Sequence, residues 1–164
     1  MATATAPTSL SHGELRTWRA FARSARLLFA QLDRDLSRDA GMAPGTYELL
    51  VILAEAPDGA MRMNELAEAT LSSPSRITHA VERLVDLGWV ERTSCPSDRR
   101  GWLAVLTDAG HAALLATAPR HVEHLRAHFF DGLSTEDAAH LRRICENILA
   151  RLPNGGSAGG CPGA

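Results

Sequence analysis

Apolar residues recur at steps of three and four along much of the chain, and each such run predicts a helix. From Glu14 to Ala40 the stripe is Leu15, Trp18, Ala22, Ala25, Phe29, Leu32 and Leu36, closed by Gly41 where a left-handed residue ends a helix. Such a helix is ~40 Å long at about 1.5 Å per residue. One small domain cannot cover it, so part of its stripe is expected to face a second chain. Pro44 opens a second helix through Glu55, with Tyr47, Leu50, Val51 and Leu53 inside it, and Pro57-Asp58-Gly59 is a turn. Ala60–Met63 can pair as a short strand, and Asn64 is the expected cap of a short helix over Glu65–Ala69. Ser72-Ser73-Pro74 then caps and starts a helix to Leu87. Trp89–Thr93 and Trp102–Leu106 read as strands of a hairpin joined by the polar segment CPSDRRG. Thr107 caps a helix from Asp108 to about Phe130, which Pro119 is expected to bend or break. Ser134, with Asp137 three residues on, starts a last helix ending near Leu152.

The fold class is therefore mainly α (α+β). The order helix, turn, helix, hairpin at 64–107 is that of a winged helix-turn-helix, flanked by long N- and C-terminal helices. Residues 1–11 read as a disordered tail and 153–164 as a second, Gly-rich one. One domain remains over 12–152. Its winged part is about 44–107, and its dimerisation helices are about 12–41 and 108–152.

In the helix that starts at Pro74, Ile77, Val81, Leu84 and Val85 are expected to face the core. Ser75, Arg76, Thr78, His79, Glu82 and Arg83 form the other face, of short or hydrogen-bonding side chains that suit a major groove. Ser72-Ser73-Pro74 places free N–H groups at the helix start, where a phosphate can bind. The hairpin link adds Arg99 and Arg100, able to reach phosphates or a minor groove, with Asp98 fixing the direction of one of them.

Composition and charge narrow these expectations. The formal net charge is −2, so any contact with DNA must come from locally placed cations. All 17 basic residues are Arg, the side chain suited to bidentate contacts with guanine or phosphate. The three cysteines, Cys95, Cys145 and Cys161, form no CxxC pair, which argues against a disulfide framework or a zinc ribbon. No signal peptide and no membrane-spanning apolar run is read, so the expected setting is the reducing cytoplasm.

The stretch DRRGWLAVLTDAG resembles the wing of the MarR (multiple antibiotic resistance regulator) family through Asp98, Arg100, Gly101, Val105, Leu106, Thr107 and Gly110. LVDLGWVER, residues 84–92, resembles that family's passage from recognition helix to wing. The resemblance covers about 14–152 in helix order. It implies a two-fold dimer built by the terminal helices, with one winged helix per subunit on a palindromic duplex-DNA operator. The DNA-reading positions it implies are Ser73, Pro74, Ser75, Arg76, Thr78, His79 and Arg83, with Asp98, Arg99 and Arg100 on the wing. The family often binds small aromatic or phenolic ligands, for which Trp18, Tyr47 and Arg62 are the candidates here.

A few residues are suited to other chemistry. His121, His124 and His128 share one helix face and are metal candidates, although no acidic or Cys ligand lies near them in sequence. Cys95, close to Arg99 and Arg100, is a candidate redox thiol. Ordinary solvated, core or interface roles are the default for these residues, and no metal or other cofactor is expected. No GxSxG, HExxH or GxGxxG motif and no phosphate-binding loop occurs, so the chain is not expected to be an enzyme. The alternatives to a ligand-responsive DNA-binding regulator are a winged-helix protein-interaction module, and a zinc- or thiol-sensing regulator of the same family.

Overall fold

The computed structural model describes residues 9–43, 45–95 and 98–152, with the side chains of 98–100 excepted. Residues 1–8 of the tail expected at 1–11, the whole tail expected at 153–164, and Pro44 lie outside the described residues, while Ser11 at the end of the first tail is the cap of the first helix. The elements run α1 (His12–Ala40), α2 (Thr46–Glu55), β1 (Ala60–Arg62), α3 (Met63–Ala69), α4 (Pro74–Asp86), β2 (Val90–Cys95), β3 (Asp98–Leu106), α5 (Asp108–His128) and α6 (Thr135–Leu149). Single 3-10 turns stand at Pro57–Gly59 and Phe130–Gly132.

Local chemistry explains most boundaries. Ser11 accepts from the Glu14 N–H at 3.3 Å and its own N–H donates to the Glu14 carboxylate at 2.7 Å, a reciprocal cap that starts α1 earlier than the apolar stripe does. Gly41, at φ 62°, ends α1 with its N–H on the Ser37 carbonyl. Ser73, Thr107 and Ser134 cap α4, α5 and α6 through their hydroxyls.

The strands form an antiparallel sheet in the order β1-β3-β2. Ala60 faces Val105 and Arg62 faces Leu103 on one side of β3, while Val90 faces Leu106 and Thr93 faces Leu103 on the other. The core lies where α2, α3 and α4 meet this sheet and the adjoining ends of α1 and α5: Leu36, Leu50, Leu53, Leu66, Val81, Leu84, Val90, Ala104 and Leu114 are among its buried residues. Fully burying a Leu or Val is worth about 1.5–3 kcal/mol, so this cluster fixes how α4 is held.

Four expectations are corrected. Asn64 does not cap α3. Helical geometry begins at Met63, and the Glu65 carboxylate reaches back to the Arg62 N–H at 3.4 Å, which leaves Asn64 in the first turn. Pro119 does not break α5, which runs unbroken through it. The carbonyl that loses its donor belongs to Leu115, on the exposed side of the helix where water can serve it. The hairpin link is shorter than read, because β3 already begins at Asp98. Val85 is 38% exposed, one residue past the buried line Ile77, Val81, Leu84. No helix among the described residues is long and apolar enough to cross a membrane.

Candidate nucleic-acid interface

α4 is anchored on one face and open on the other. Ile77, Val81 and Leu84 are buried, while Ser73, Pro74, Ser75, Arg76, His79 and Arg83 are exposed. At the helix start the Ser73 hydroxyl accepts from the Arg76 N–H at 3.4 Å and lies 3.3 Å from the Ser75 hydroxyl. Thr78 is half-buried and its hydroxyl donates to the Pro74 carbonyl at 3.0 Å, so it presents mainly its methyl group. His79 is engaged with Glu82 at 3.1 Å. Among the described residues, Arg76 and Arg83 make no ion pair, so both guanidiniums stand on this exposed face.

The exit of α4 is locked to the wing by the Leu-Thr-x-x-Gly segment. The Thr107 hydroxyl donates to the Gly88 carbonyl at 2.7 Å and accepts from the Gly110 N–H at 3.0 Å, and the Thr107 N–H donates to the Trp89 carbonyl. Gly110 is required by contact: a methyl group there would overlap the Trp89 carbonyl and stand 2.8 Å from the Leu106 side chain. The strands of the wing then lead away from α4. Asp98, Arg99 and Arg100 are the first residues of β3, and their side chains lie outside the described residues, as do 96 and 97.

One wing residue went unrecognised in the sequence. Arg92 on β2 packs its guanidinium over the Trp102 ring of β3, 5.0 Å from the centroid. Its buried Nε has no hydrogen-bond partner among the described residues. The available signal was register: Trp102 pairs with Ser94, two residues along β2 from Arg92, so both side chains share one face.

The three ligand-pocket candidates do not converge. Trp18 is 58% exposed on α1 and lies beside Phe21. Tyr47 packs its ring 4.5 Å from that of His121, and Arg62 stands at the start of α3. None of them lines the cavity of about 320 Å³ that opens between α1 and α5, whose walls include Leu36, Met42, Trp89, Ala113, Ala116 and His124. Cys95, the redox candidate, is 3% exposed, whereas thiol sensing needs access for an oxidant.

The histidine trio divides. His121 turns to Tyr47, and burial, with a smaller effect of His124, holds its pKa below the ordinary value. Burial likewise raises that of Tyr47. His124 and His128 meet aspartates of α1 that adjacency in sequence could not reveal. His124 Nε2 donates to Asp39 Oδ2 at 2.6 Å, and His128 Nε2 to Asp35 Oδ2 at 2.8 Å. Arg38 bridges the same two carboxylates, at 2.8 Å from Asp35 and 2.7 Å from Asp39. Hydrogen bonds from Arg38 and then His124 hold the Asp39 carboxyl well below the usual carboxylate range.

Comparison with known proteins agrees with this geometry. A family model described as the MarR family matches residues 40–101. The HTH-type transcriptional regulator PecS of Dickeya dadantii is 30% identical over 95 residues, 58% of this chain and 57% of PecS, so the chain spans little more than half of that relative. Sco3205, a MarR family transcriptional regulator from Streptomyces coelicolor solved in complex with DNA, is 45% identical with a TM-score of 0.82, over 87% of this chain and 89% of that one. AbsC, a MarR family transcriptional regulator from the same organism, is 38% identical with a TM-score of 0.81, over 88% and 97%. An exposed polar helix locked to a three-stranded wing, together with identity of this extent over nearly whole chains, shows that the protein belongs to the MarR family of transcriptional regulators.

Proposed function

We propose that the chain is a homodimeric, sequence-specific duplex-DNA-binding regulator of transcription, acting in the cytoplasm and not as an enzyme. The observation that carries this reading is the face of α4: its far side is fixed in the core while Ser73–Arg76, His79 and Arg83 stand exposed. In this reading the helix enters the major groove, Ser73, Pro74 and Ser75 receive a phosphate at its N-terminus, and Arg76 reaches a base edge. Thr78 offers its methyl to the groove, and His79 and Arg83 flank these contacts. Arg99 and Arg100 hold backbone or a narrow minor groove, oriented by Asp98. The winged part is 44–107, and the helices of 12–41 and 108–152 join the two copies. A small aromatic or phenolic ligand has room in the cavity between α1 and α5. By favouring one spacing of the two α4 helices, such a ligand would shift operator affinity.

Selection of bound duplexes from a random pool tests the reading. The expected product is an inverted repeat with half-site centres about 10 base pairs apart, or a multiple of that. Equal retention of all sequences, or retention of none, would overturn it.

A further inference from the structure

Two helices far apart in sequence bring one aspartate and two histidines to a single point beside the cavity. Asp35 comes from α1, and His124 and His128 come from successive turns of α5. One donor atom of each lies within 4.8 Å of the others. Asp35 Oδ2 is 2.8 Å from His128 Nε2 and 3.8 Å from His124 Nδ1. The imidazole rings are nearly parallel, at 8° with centroids 6.0 Å apart, so both nitrogens approach the same carboxylate oxygen. The Asp35 side chain is only 3% exposed, and such a buried carboxylate must be matched by positive charge or by donors.

The remaining contacts orient the group. Arg38 takes the other oxygen of Asp35 at 2.8 Å, and the Gln31 amide donates to both oxygens at 3.1 Å. His124 donates its Nε2–H to Asp39 in a hydrogen bond, and in that tautomer a lone pair on Nδ1 faces Asp35 Oδ2. Two electron-pair donors facing each other at that separation leave a position suited to a cation. Arg120 also reaches Asp39, at 3.3 Å, whereas the guanidinium beside Asp35 is that of Arg38, which it shares with Asp39, so a bound cation would meet chiefly the charge of Asp35. A carboxylate behind a histidine is also the arrangement that fixes the tautomer of a metal-binding imidazole and raises its basicity.

We propose that Asp35, His124 and His128 form a zinc site, with Asp39 as the residue that positions His124. One carboxylate oxygen and two imidazole nitrogens suit a borderline ion such as Zn²⁺. Calcium and magnesium call for six or more oxygens. The ion takes the place of the proton between His128 and Asp35. Its fourth position opens on the cavity, which Asp35, Asp39 and His124 also line, so a water or a ligand oxygen can complete a tetrahedron. His121 takes no part, being held against Tyr47.

The test uses the untagged full chain with reduced thiols, titrated with zinc against a chromophoric chelator. One zinc per chain is expected, and zinc should raise the melting temperature. His124→Gln and His128→Gln should each abolish tight binding and the rise in melting temperature. Asp39→Asn should weaken binding about 10–100-fold. His140→Gln, an exposed histidine on α6, should change neither. Cobalt(II) in the unaltered chain should give a tetrahedral visible spectrum without a thiolate charge-transfer band, a readout that needs no variant to fold. Failure of the wild-type chain to bind zinc, retention of affinity in the double histidine variant, or a thiolate band would each overturn the proposal.

Discussion

Single residues decide two of the joints that hold this molecule in shape. Gly110 lets the first turn of α5 lie directly against the Trp89 carbonyl, and Thr107 completes the joint with one hydroxyl that donates to Gly88 and accepts from Gly110. Gly110→Ala should therefore lower stability by about 1–3 kcal/mol, the usual cost of overpacking, as read by urea unfolding. A change within error would show that α5 can lift off the strand freely. The second joint is the reciprocal cap of α6. The Ser134 hydroxyl, and then the Ser134 N–H, hold the Asp137 carboxyl below its ordinary pKa. Because the folded value is depressed, the contribution of this cap is complete above the ordinary carboxylate range. It is lost as pH falls through the depressed value. In Ser134→Ala the Asp137 pKa, followed by carboxyl NMR, should rise toward the ordinary value yet stop short of it, since the backbone donor at 3.3 Å remains. An unmoved titration would mean that the hydroxyl does not set it.

Elements show where sequence reading succeeded and where it had to fail. α4 was legible because its three determinants are local: a capping Ser73, a starting Pro74 and a period of three to four apolar positions. The sidedness of Arg76 and Arg83 follows from the same period, and it supports a division of labour in the proposed complex. Arg76→Ala should relax preference at one position per half-site, because a bidentate contact to guanine discriminates by about 1–3 kcal/mol. Arg83→Ala should weaken all sequences alike and make the salt dependence shallower by about one ion. Binding to single-base operator variants separates these patterns, and a uniform loss for Arg76→Ala would remove its base-reading role. The turn before α4 was not legible. Leu71 is 83% exposed with φ 50°, a left-handed conformation that no local signal announces, since a Leu there has no side-chain reason to adopt it. That conformation costs an L-residue about 1–2 kcal/mol, whereas Gly loses roughly 0.5–1 kcal/mol more than Ala in chain entropy on folding. The first effect outweighs the second, so Leu71→Gly should raise thermal stability slightly. A clear loss would show that the exposed Leu side chain makes a needed contact.

At the scale of the whole molecule, what stayed hidden in the sequence is contact between distant elements. The pairing of Asp35 and Asp39 with His128 and His124 spans 85 to 93 residues, and only the packing of α1 on α5 creates it. The long apolar stripes were legible, because their period is local, and the structure shows what they lack. Trp18, Phe21 and Phe29 on α1 and Ile144, Ile148 and Leu149 on α6 are each 44% exposed or more, and no residue of α6 is buried. A 15-residue helix is marginal when isolated in water, since helices shorter than ~12–15 residues rarely hold without tertiary packing. Its capping box fixes where α6 begins but cannot bury its apolar side. A second copy of the chain is the economical cover, because one two-fold axis would satisfy α1 and α6 of both copies together. Sedimentation at micromolar concentration should therefore give a dimer mass. Ile144→Glu combined with Ile148→Glu would place four charges in that interface, two from each copy, and should shift the mass to that of one chain. Helical content should fall by about the share of α6, while the winged part, whose core is made within one chain, should keep its cooperative unfolding. Operator affinity should fall with the dimer, since one half-site alone is then held. A wild-type chain that sediments as a monomer would sink the two-fold reading, and a double variant that stays dimeric would move the interface elsewhere.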